Sequence, residues 1–393
     1  MKLKVLIAGV LAAATLLTAA GVAGAAPPEN TAGDTGWDNV NDAVVGAGSD
    51  TSYYISQEVE KLYNQANGCD TNNSSGSATI GQCLVGASQG QTDIKGNWDH
   101  DYFVGKYPTG SGAGIREVTG TDGLGAGKTA DYARSSSGPA SAGGGQGGIN
   151  FFAYGKEAIV AVTFGNRVPG TLTTAQLTSV FNCSVTDWGT LLTGVANGQT
   201  IQPWGINASS GTGRTFASKI GVGTDGTFGG GSCIKKLDTG IFPLENDVKQ
   251  LNTDPNFVAN NAIWAMSFAD FKSFADRRQD AQAWAWNGVT PTNATIANDS
   301  FPLTRFIYQV TLKADATPDA LTDNVLGASG GKGGAVREET EFLCKDTANH
   351  AKNIYTGKVN FDELTAIYSK TGFIRVPSAQ RTNGVCRVLP GVA

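Results

Sequence analysis

Charge and metal-ligating side chains are both scarce in this chain. Asp, Glu, Lys and Arg make up 16% of its 393 residues, against a globular norm of roughly 25%. The net charge of −5 leaves no basic excess, and a protein that grips nucleic-acid phosphates regardless of sequence needs one. Nucleic acid is therefore excluded as a partner. Two histidines, His100 and His350, are too few for a His-rich metal site, and the six cysteines contain no C-x-x-C pair. Zinc ligation lacks its spacing, and no metal or cofactor is expected. Heptads, collagen periods and internal repeats are absent as well.

Glycine is abundant instead: 53 residues, nearly twice the usual ~7% share. Frequent turns and close backbone approaches follow. At ~100–200 residues per domain, the length suggests about two domains. At the start, Lys2 and Lys4 precede an apolar run from Val5 to Leu17, and small residues lead to Ala23-Gly24-Ala25. That order is a secretory signal peptide over residues 1–25, with cleavage near Ala25 or Ala26. A membrane anchor over Val5 to Ala26 is the rival, but after Leu17 that stretch holds only Ala, Gly, Val and Thr. No Cys follows the run, so a lipid anchor is not expected and the mature chain is free and exported. Six cysteines in an exported chain argue for three disulfides among fifteen possible pairings. Local spacing favours Cys69–Cys83, Cys183–Cys233 and Cys344–Cys386.

Strand and helix patterns alternate. Asn41 to Val45 reads as a strand and Gly46 to Thr51 as a turn; a helix carrying Ile55, Val59, Leu62 and Tyr63 follows. Strand-like islands stand at Thr79 to Val85 and Tyr102 to Val104. Ala158 to Phe164 is a continuous apolar strand. Thr173 or Thr174 caps a helix with Leu177, Val180 and Phe181 on one face. An apolar segment follows at Ala262 to Phe268, a strand at Phe306 to Leu312, and a last helix carries Leu364, Ile367 and Tyr368. The alternation predicts an α/β sheet covered on both faces.

Three strings resemble functional motifs. Gly86-Ala87-Ser88-Gln89-Gly90 fits the nucleophile elbow of a serine hydrolase, with His350 downstream, but the residues after it are poor helix formers. Asp122 to Thr129 nearly matches a phosphate-binding P-loop, with Asp where the first Gly belongs. The third, Asn207 to Phe216, follows a strand-like Ile201 to Trp204 and opens a helix, so that Ser210 and Thr212 present hydroxyls at a helix N-terminus. Two other loops share that character, Gly48-Ser49-Asp50-Thr51 and Thr109 to Ile115, and Arg134-Ser135-Ser136 sets a guanidinium beside two hydroxyls. Together they describe a dehydrated oxyanion cage, in which hydrogen bonds replace water.

These segments stand in a telling order: GAGSDTS at 46–52, TGSGAGI at 109–115, DYARSSSGP at 131–139, KEAIVAVTF at 156–164, LTTAQLTSVFNCSVTDWGTL at 172–191, SSGTGRTF at 209–216, NGVTPTNATIANDSFPLTRFIYQV at 287–310 and ELTAIYSKTGFIRVP at 363–377. The set resembles the phosphate-binding solute-binding proteins that serve ABC transporters, in a divergent, actinobacterial-looking branch. The resemblance implies a two-lobed periplasmic-binding-protein fold of type II with an interlobe ligand cleft. Its lobes would be residues 38–160 with 313–393, and 161–312; residues 26–37 would be an N-terminal linker. Two hinge strands would join the lobes, near Ala158–Phe164 and Phe306–Leu312. It implies a monomer without catalysis, binding phosphate or a related tetrahedral oxyanion and handing it to a permease.

Carried over position by position, the resemblance places Ser49, Asp50 and Thr51 in the first loop and Ser111 in the second. Ser135 and Ser136 stand in the third, and Ser210, Gly211 and Thr212 in the fourth. Two departures mark this chain. The family's Asp, which accepts a proton from bound phosphate, is here Ser136, and its Arg four residues before Ser210 is here Ile206. Asp50 is the candidate replacement for the acceptor. Arg134 and Arg214 are the candidates for the guanidinium, with Arg134 favoured because Arg214 sits a turn inside its helix. Two other functions compete: a secreted hydrolase using Ser88 with His350, and a secreted binding-fold protein without a transport role.

Overall fold

The computed structural model describes residues 46–66, 110–119, 132–139, 147–244, 251, 253–277, 280–312, 340, 343–344, 360–381 and 387–390. The labelled elements are β1 (Gly46–Gly48), α1 (Tyr53–Ala66), α2 (Ser111–Thr119), β2 (Tyr132–Ser135), β3 (Ile149–Thr163), α3 (Thr174–Phe181), β4 (Gln202–Trp204), α4 (Gly211–Ile220), β5 (Ala262–Ser267), α5 (Phe268–Arg277), β6 (Thr304–Leu312) and α6 (Asn360–Thr371). The strands form a mixed sheet in the order β1-β2-β6-β3-β5-β4. β1 pairs parallel with β2, and β4 parallel with β5. β3 and β6 run antiparallel to each other at its centre, with a register shift between Ala153 and Gly155.

Two hydrophobic cores lie along that central pair. Phe151, Ala153 and Tyr154 of β3 join Ile307 and Val310 of β6 in one core, with Ile55 and Val59 of α1 and Leu364 of α6. Ala158 to Val162 of the same β3 enter the other, with Trp204, Phe216, Trp264 and Leu303. The chain therefore leaves one core for the other between Tyr154 and Ala158 and returns between Leu303 and Ile307. This is the expected α/β architecture, two cores joined by two strands. β3 is fifteen residues long and almost wholly buried, which explains its unbroken apolar reading: a strand covered on both faces needs no polar alternation.

Most local readings hold. Thr173 caps α3 through a capping box with Gln176, and Gly221 closes α4 in the left-handed conformation, φ +69°. One reading is corrected. The strand at the first glycine run is Gly46–Gly48 itself, which the sequence presents as a turn. Any side chain at Gly46 would occupy the space of the Tyr132 ring on β2, so glycine is what allows β1 to lie there. The apolar segment Ala262 to Phe268 is β5 up to Ser267, and α5 begins at Phe268. Residues 1–45, the islands at 79–85 and 102–104, the P-loop-like string, and Ser88 and His350 lie outside the described residues.

Cys183 and Cys233 form a disulfide across fifty residues, as their spacing suggested. Cys344 is also disulfide-bonded. Cys69, Cys83 and Cys386 lie outside the described residues. Among the described residues no helix is long and apolar enough to cross a membrane.

Candidate functional site

Three helix N-termini and one serine run meet beside the central strands. Gly48 ends β1 at φ +124°, and a side chain there would strike the carbonyl of Arg134. Only glycine combines that torsion with that approach. The Ser49 amide then donates to the Arg134 carbonyl at 3.0 Å, and the Gly110 amide donates to the Gly48 carbonyl at 3.1 Å. These two bonds tie the loop before α1 to β2 and the start of α2 to the end of β1. The residues from Ser49 to Ser52, with Ser111, Ser135, Ser136 and Ser137, are all buried.

Their hydroxyls form a connected cluster. Ser49 Oγ donates to Ser136 Oγ at 3.0 Å, and Ser136 Oγ lies 3.2 Å from Ser111 Oγ. The Ser136 amide donates to Ser111 Oγ at 3.0 Å. All of this faces the start of α4. A β-carbon placed on Gly211 would sit 2.5 Å from both Ser111 Oγ and Ser136 Oγ and 2.6 Å from Ser137 Oγ. Ser137 Oγ is buried and makes no hydrogen bond. Glycine therefore leaves a small space where three hydroxyls converge on the positive end of a helix dipole. On the other side of that end, Thr212 Oγ1 lies 3.1 Å from Thr51 Oγ1. A cavity of about 270 Å³ opens beside Thr51, lined also by Tyr54, Glu58, Asp270, Lys370 and Phe373.

Not every expected residue faces this space. Ser49, Thr51, Ser111, Ser136, Gly211 and Thr212 come together. Ser135 Oγ turns into its own loop, donating to the Ser137 carbonyl at 2.8 Å and accepting from the Ser137 amide at 3.2 Å. Ser210 Oγ accepts the Gly213 amide at 3.1 Å as the N-cap of α4. Asp50 is buried, and its carbonyl accepts the Tyr53 amide as α1 begins.

The guanidinium groups divide the work. Arg134 is buried; its Nη1 donates to the Gly46 carbonyl at 2.9 Å and its Nε to the Ser49 carbonyl at 3.3 Å. Its charge also lies 5.2 Å from the centre of the Tyr53 ring. It braces the first loop from behind. Arg214 lies along α4 against Gly112. Burial lowers its pKa, the Asp225 charge opposes that, and the Arg116 charge adds to it.

A third guanidinium was missed from the sequence. Arg305 of β6 reaches Thr212 Oγ1 through Nη2 at 2.5 Å, and its Nε donates to Glu157 Oε1 of β3 at 2.8 Å. Ser267 Oγ donates to the other oxygen of Glu157. A carboxylate inside one apolar strand and a guanidinium at the start of another were the available signal, because buried charges occur in pairs. Ser137 was passed over as the third member of a serine run.

A buried set of hydroxyl and amide donors at a helix N-terminus suits an anion with several acceptor oxygens. Several solved structures are similar to this chain. An ABC-type phosphate transport receptor from Vibrio cholerae is 16% identical, over 84% of this chain and 99% of that one, with a TM-score of 0.48. A putative phosphate ABC transporter substrate-binding protein with bound phosphate, from Clostridium perfringens, is 15% identical over 86% and 100%, with a TM-score of 0.49. A phosphate-binding protein from Stenotrophomonas maltophilia is 13% identical over 86% and 91%, with a TM-score of 0.49. No family model matches the sequence, and no curated protein does.

Proposed function

We propose that this chain is an exported, non-catalytic solute-binding protein that captures phosphate or a related tetrahedral oxyanion between two α/β lobes. The observation that carries this reading is the convergence of Ser111, Ser136 and Ser137 hydroxyls at the missing β-carbon of Gly211. A desolvated anion needs as many hydrogen bonds as the water it gives up. The N-terminus of α4 and the hydroxyls of Ser49, Thr51 and Thr212 belong to the same cluster. The lobes would be 38–160 with 313–393, and 161–312, closing by a hinge motion about β3 and β6. In this reading the chain is a monomer of the phosphate-binding family, cleaved near Ala25 or Ala26, and it delivers its ligand to an ABC-transporter permease.

Calorimetry and thermal melts of dialysed protein with phosphate, arsenate, sulfate and molybdate test it. A ligand that binds only the native state must raise the melting temperature. Phosphate or one of its analogues is expected to do so at millimolar concentration. If all four leave both measurements flat, the reading is wrong.

A further inference from the structure

We propose that Arg305 contacts the bound anion directly, its Nη1 donating to an oxygen of the ligand beside Thr212. The inference rests on the oxyanion reading of the site and adds the guanidinium to it. Arg305 is the second residue of β6 and is buried. Its guanidinium is planar, with five N–H groups in a fixed fork. Glu157 Oε1 accepts from Nε at 2.8 Å and from Nη2 at 2.5 Å, so it takes the N–H of Nη2 that lies on the Nε side. Thr212 Oγ1, 2.5 Å from the same Nη2, is met by the other N–H, which points out of the tip of the side chain. In a planar fork an N–H of Nη1 runs parallel to that one, from the neighbouring nitrogen. Nη1 is buried and makes no hydrogen bond among the described residues.

That spare donor is delivered to the helix end where the site lies. Thr212 is the second residue of α4, directly after Gly211, on which the hydroxyls of Ser111, Ser136 and Ser137 converge. Thr51 of the first loop stands 3.1 Å from Thr212 Oγ1. The positive end of α4 already suits acceptor oxygens. A charged donor taken out of water and left unmet has lost its hydration without replacement, and an oxyanion oxygen replaces it. The guanidinium is not free to turn elsewhere. Glu157 is fully buried on β3 and its Oε2 accepts from Ser267 Oγ of β5, so the fork is anchored at the crossing of three strands. Glu157 also balances the charge of Arg305, which lets the guanidinium stay buried with or without an anion. Arg134, the guanidinium favoured from the sequence, is engaged with the Gly46 and Ser49 carbonyls, and Ile206 stands where the resembled family carries its own.

Calorimetry with inorganic phosphate and with sulfate tests the contact in the parent, in Arg305→Lys, and in Glu157→Gln combined with Arg305→Met. Lysine keeps a cation beside Glu157 but lacks the rigid fork and its second parallel N–H. The double variant removes both charges and leaves no lone buried carboxylate. Whichever anion the parent binds is expected to bind roughly 10- to 150-fold more weakly in both variants, as for loss of a charge-assisted contact. The ligand-free melting temperature of the double variant is expected to stay within a few degrees of the parent's, because exchanging a buried ion pair for uncharged groups of similar volume is often neutral. A merely structural role would move that temperature. Parent-like affinity in either variant overturns the contact, and so does a loss of affinity that comes only with a collapse of ligand-free stability; the oxyanion reading survives both results, since the parent still binds. A parent that binds neither anion overturns the reading itself. If Arg305→Lys does not fold, the double variant decides.

Discussion

Gly211 and Ser137 approach so closely that a methyl group on the glycine would lie 2.6 Å from the serine oxygen. Ser111 and Ser136 are equally near that point. The first turn of α4 therefore contains a space shaped by the absence of one carbon. Gly211→Ala fills it. Alanine is the better helix residue by about 1 kcal/mol, but three hydroxyls must retreat to admit it. Anion binding is expected to fall at least 100-fold, and the melting temperature of ligand-free protein to move by only a few degrees. Calorimetry and melts of the same preparation check both halves; a variant that binds as the parent does would move the anion away from α4.

The disulfide Cys183–Cys233 closes a loop between two cysteines fifty positions apart. Under the chain-entropy account, such a link stabilises by about 4 kcal/mol, through restriction of the unfolded chain. The paired replacement of both cysteines by alanine is therefore expected to lower denaturant stability by an amount of that order. The m-value should rise with the more open unfolded state. A change below 1 kcal/mol would mean that the loop is held by its packing, to which Phe181, Phe216 and Phe228 contribute through mutual ring contacts.

Much of this fold was legible because burial writes itself into composition. Ala158 to Phe164 reads as a strand from its apolar run, and Thr173 with Gln176 announces the start of α3. The fourth loop reads as a helix start because Ser210 and Gly211 are helix-opening residues. What resisted reading depends on contacts distant in sequence. β1 is a strand only because Tyr132 leaves no room beside Gly46, and no local pattern encodes that ring. Arg134 looks like the ligand of an anion when seen beside Ser135 and Ser136, but its direction is set by the Gly46 and Ser49 carbonyls, more than eighty residues earlier. Arg305 and Glu157 are 148 residues apart, and neither strand taken alone shows that the other supplies the partner.

The acid response of the junction follows from Asp299. Lys156, buried on β3, donates to the Ala297 carbonyl at 3.2 Å and to Gln380 Oε1 at 3.0 Å, and pairs with Asp299 at 2.7 Å. Burial raises the pKa of Asp299, but hydrogen bonds from Lys156, Thr304 and Gln380, with the Lys156 charge, outweigh it and hold the group below its ordinary value. A depressed carboxyl stabilises the native state fully above the unfolded pKa of about 3.9 and loses that contribution as pH falls through the lower native value. Asp299→Asn is thus expected to melt lower than the parent at pH 7, with the difference closing in strong acid. The carboxylate is half exposed, so the effect is modest, within the ~1 kcal/mol range of surface pairs. A difference that persists unchanged below pH 3 would show that charge is not its source.

Selectivity between phosphate and sulfate is expected to turn on Asp50. The cluster around Gly211 consists of hydroxyls and amides, and Ser136 stands where the resembled family has a carboxylate. An ionised carboxylate only accepts hydrogen bonds, so it favours an anion that still carries a proton and repels one that does not. Asp50 is buried directly after Ser49, whose hydroxyl joins the cluster through Ser136. If its carboxylate reaches the same anion, Asp50→Asn gives that position a donor and relaxes the filter. Phosphate affinity is then expected to fall and sulfate affinity to rise, each by about tenfold, corresponding to roughly 1.4 kcal/mol per anion. Calorimetry of both proteins with both anions reads this directly, and thermal melts of the ligand-free proteins separate it from loss of helix capping. Both affinities falling together would make Asp50 a structural residue of α1, and a parent that already binds sulfate as tightly as phosphate would show that no carboxylate filter operates.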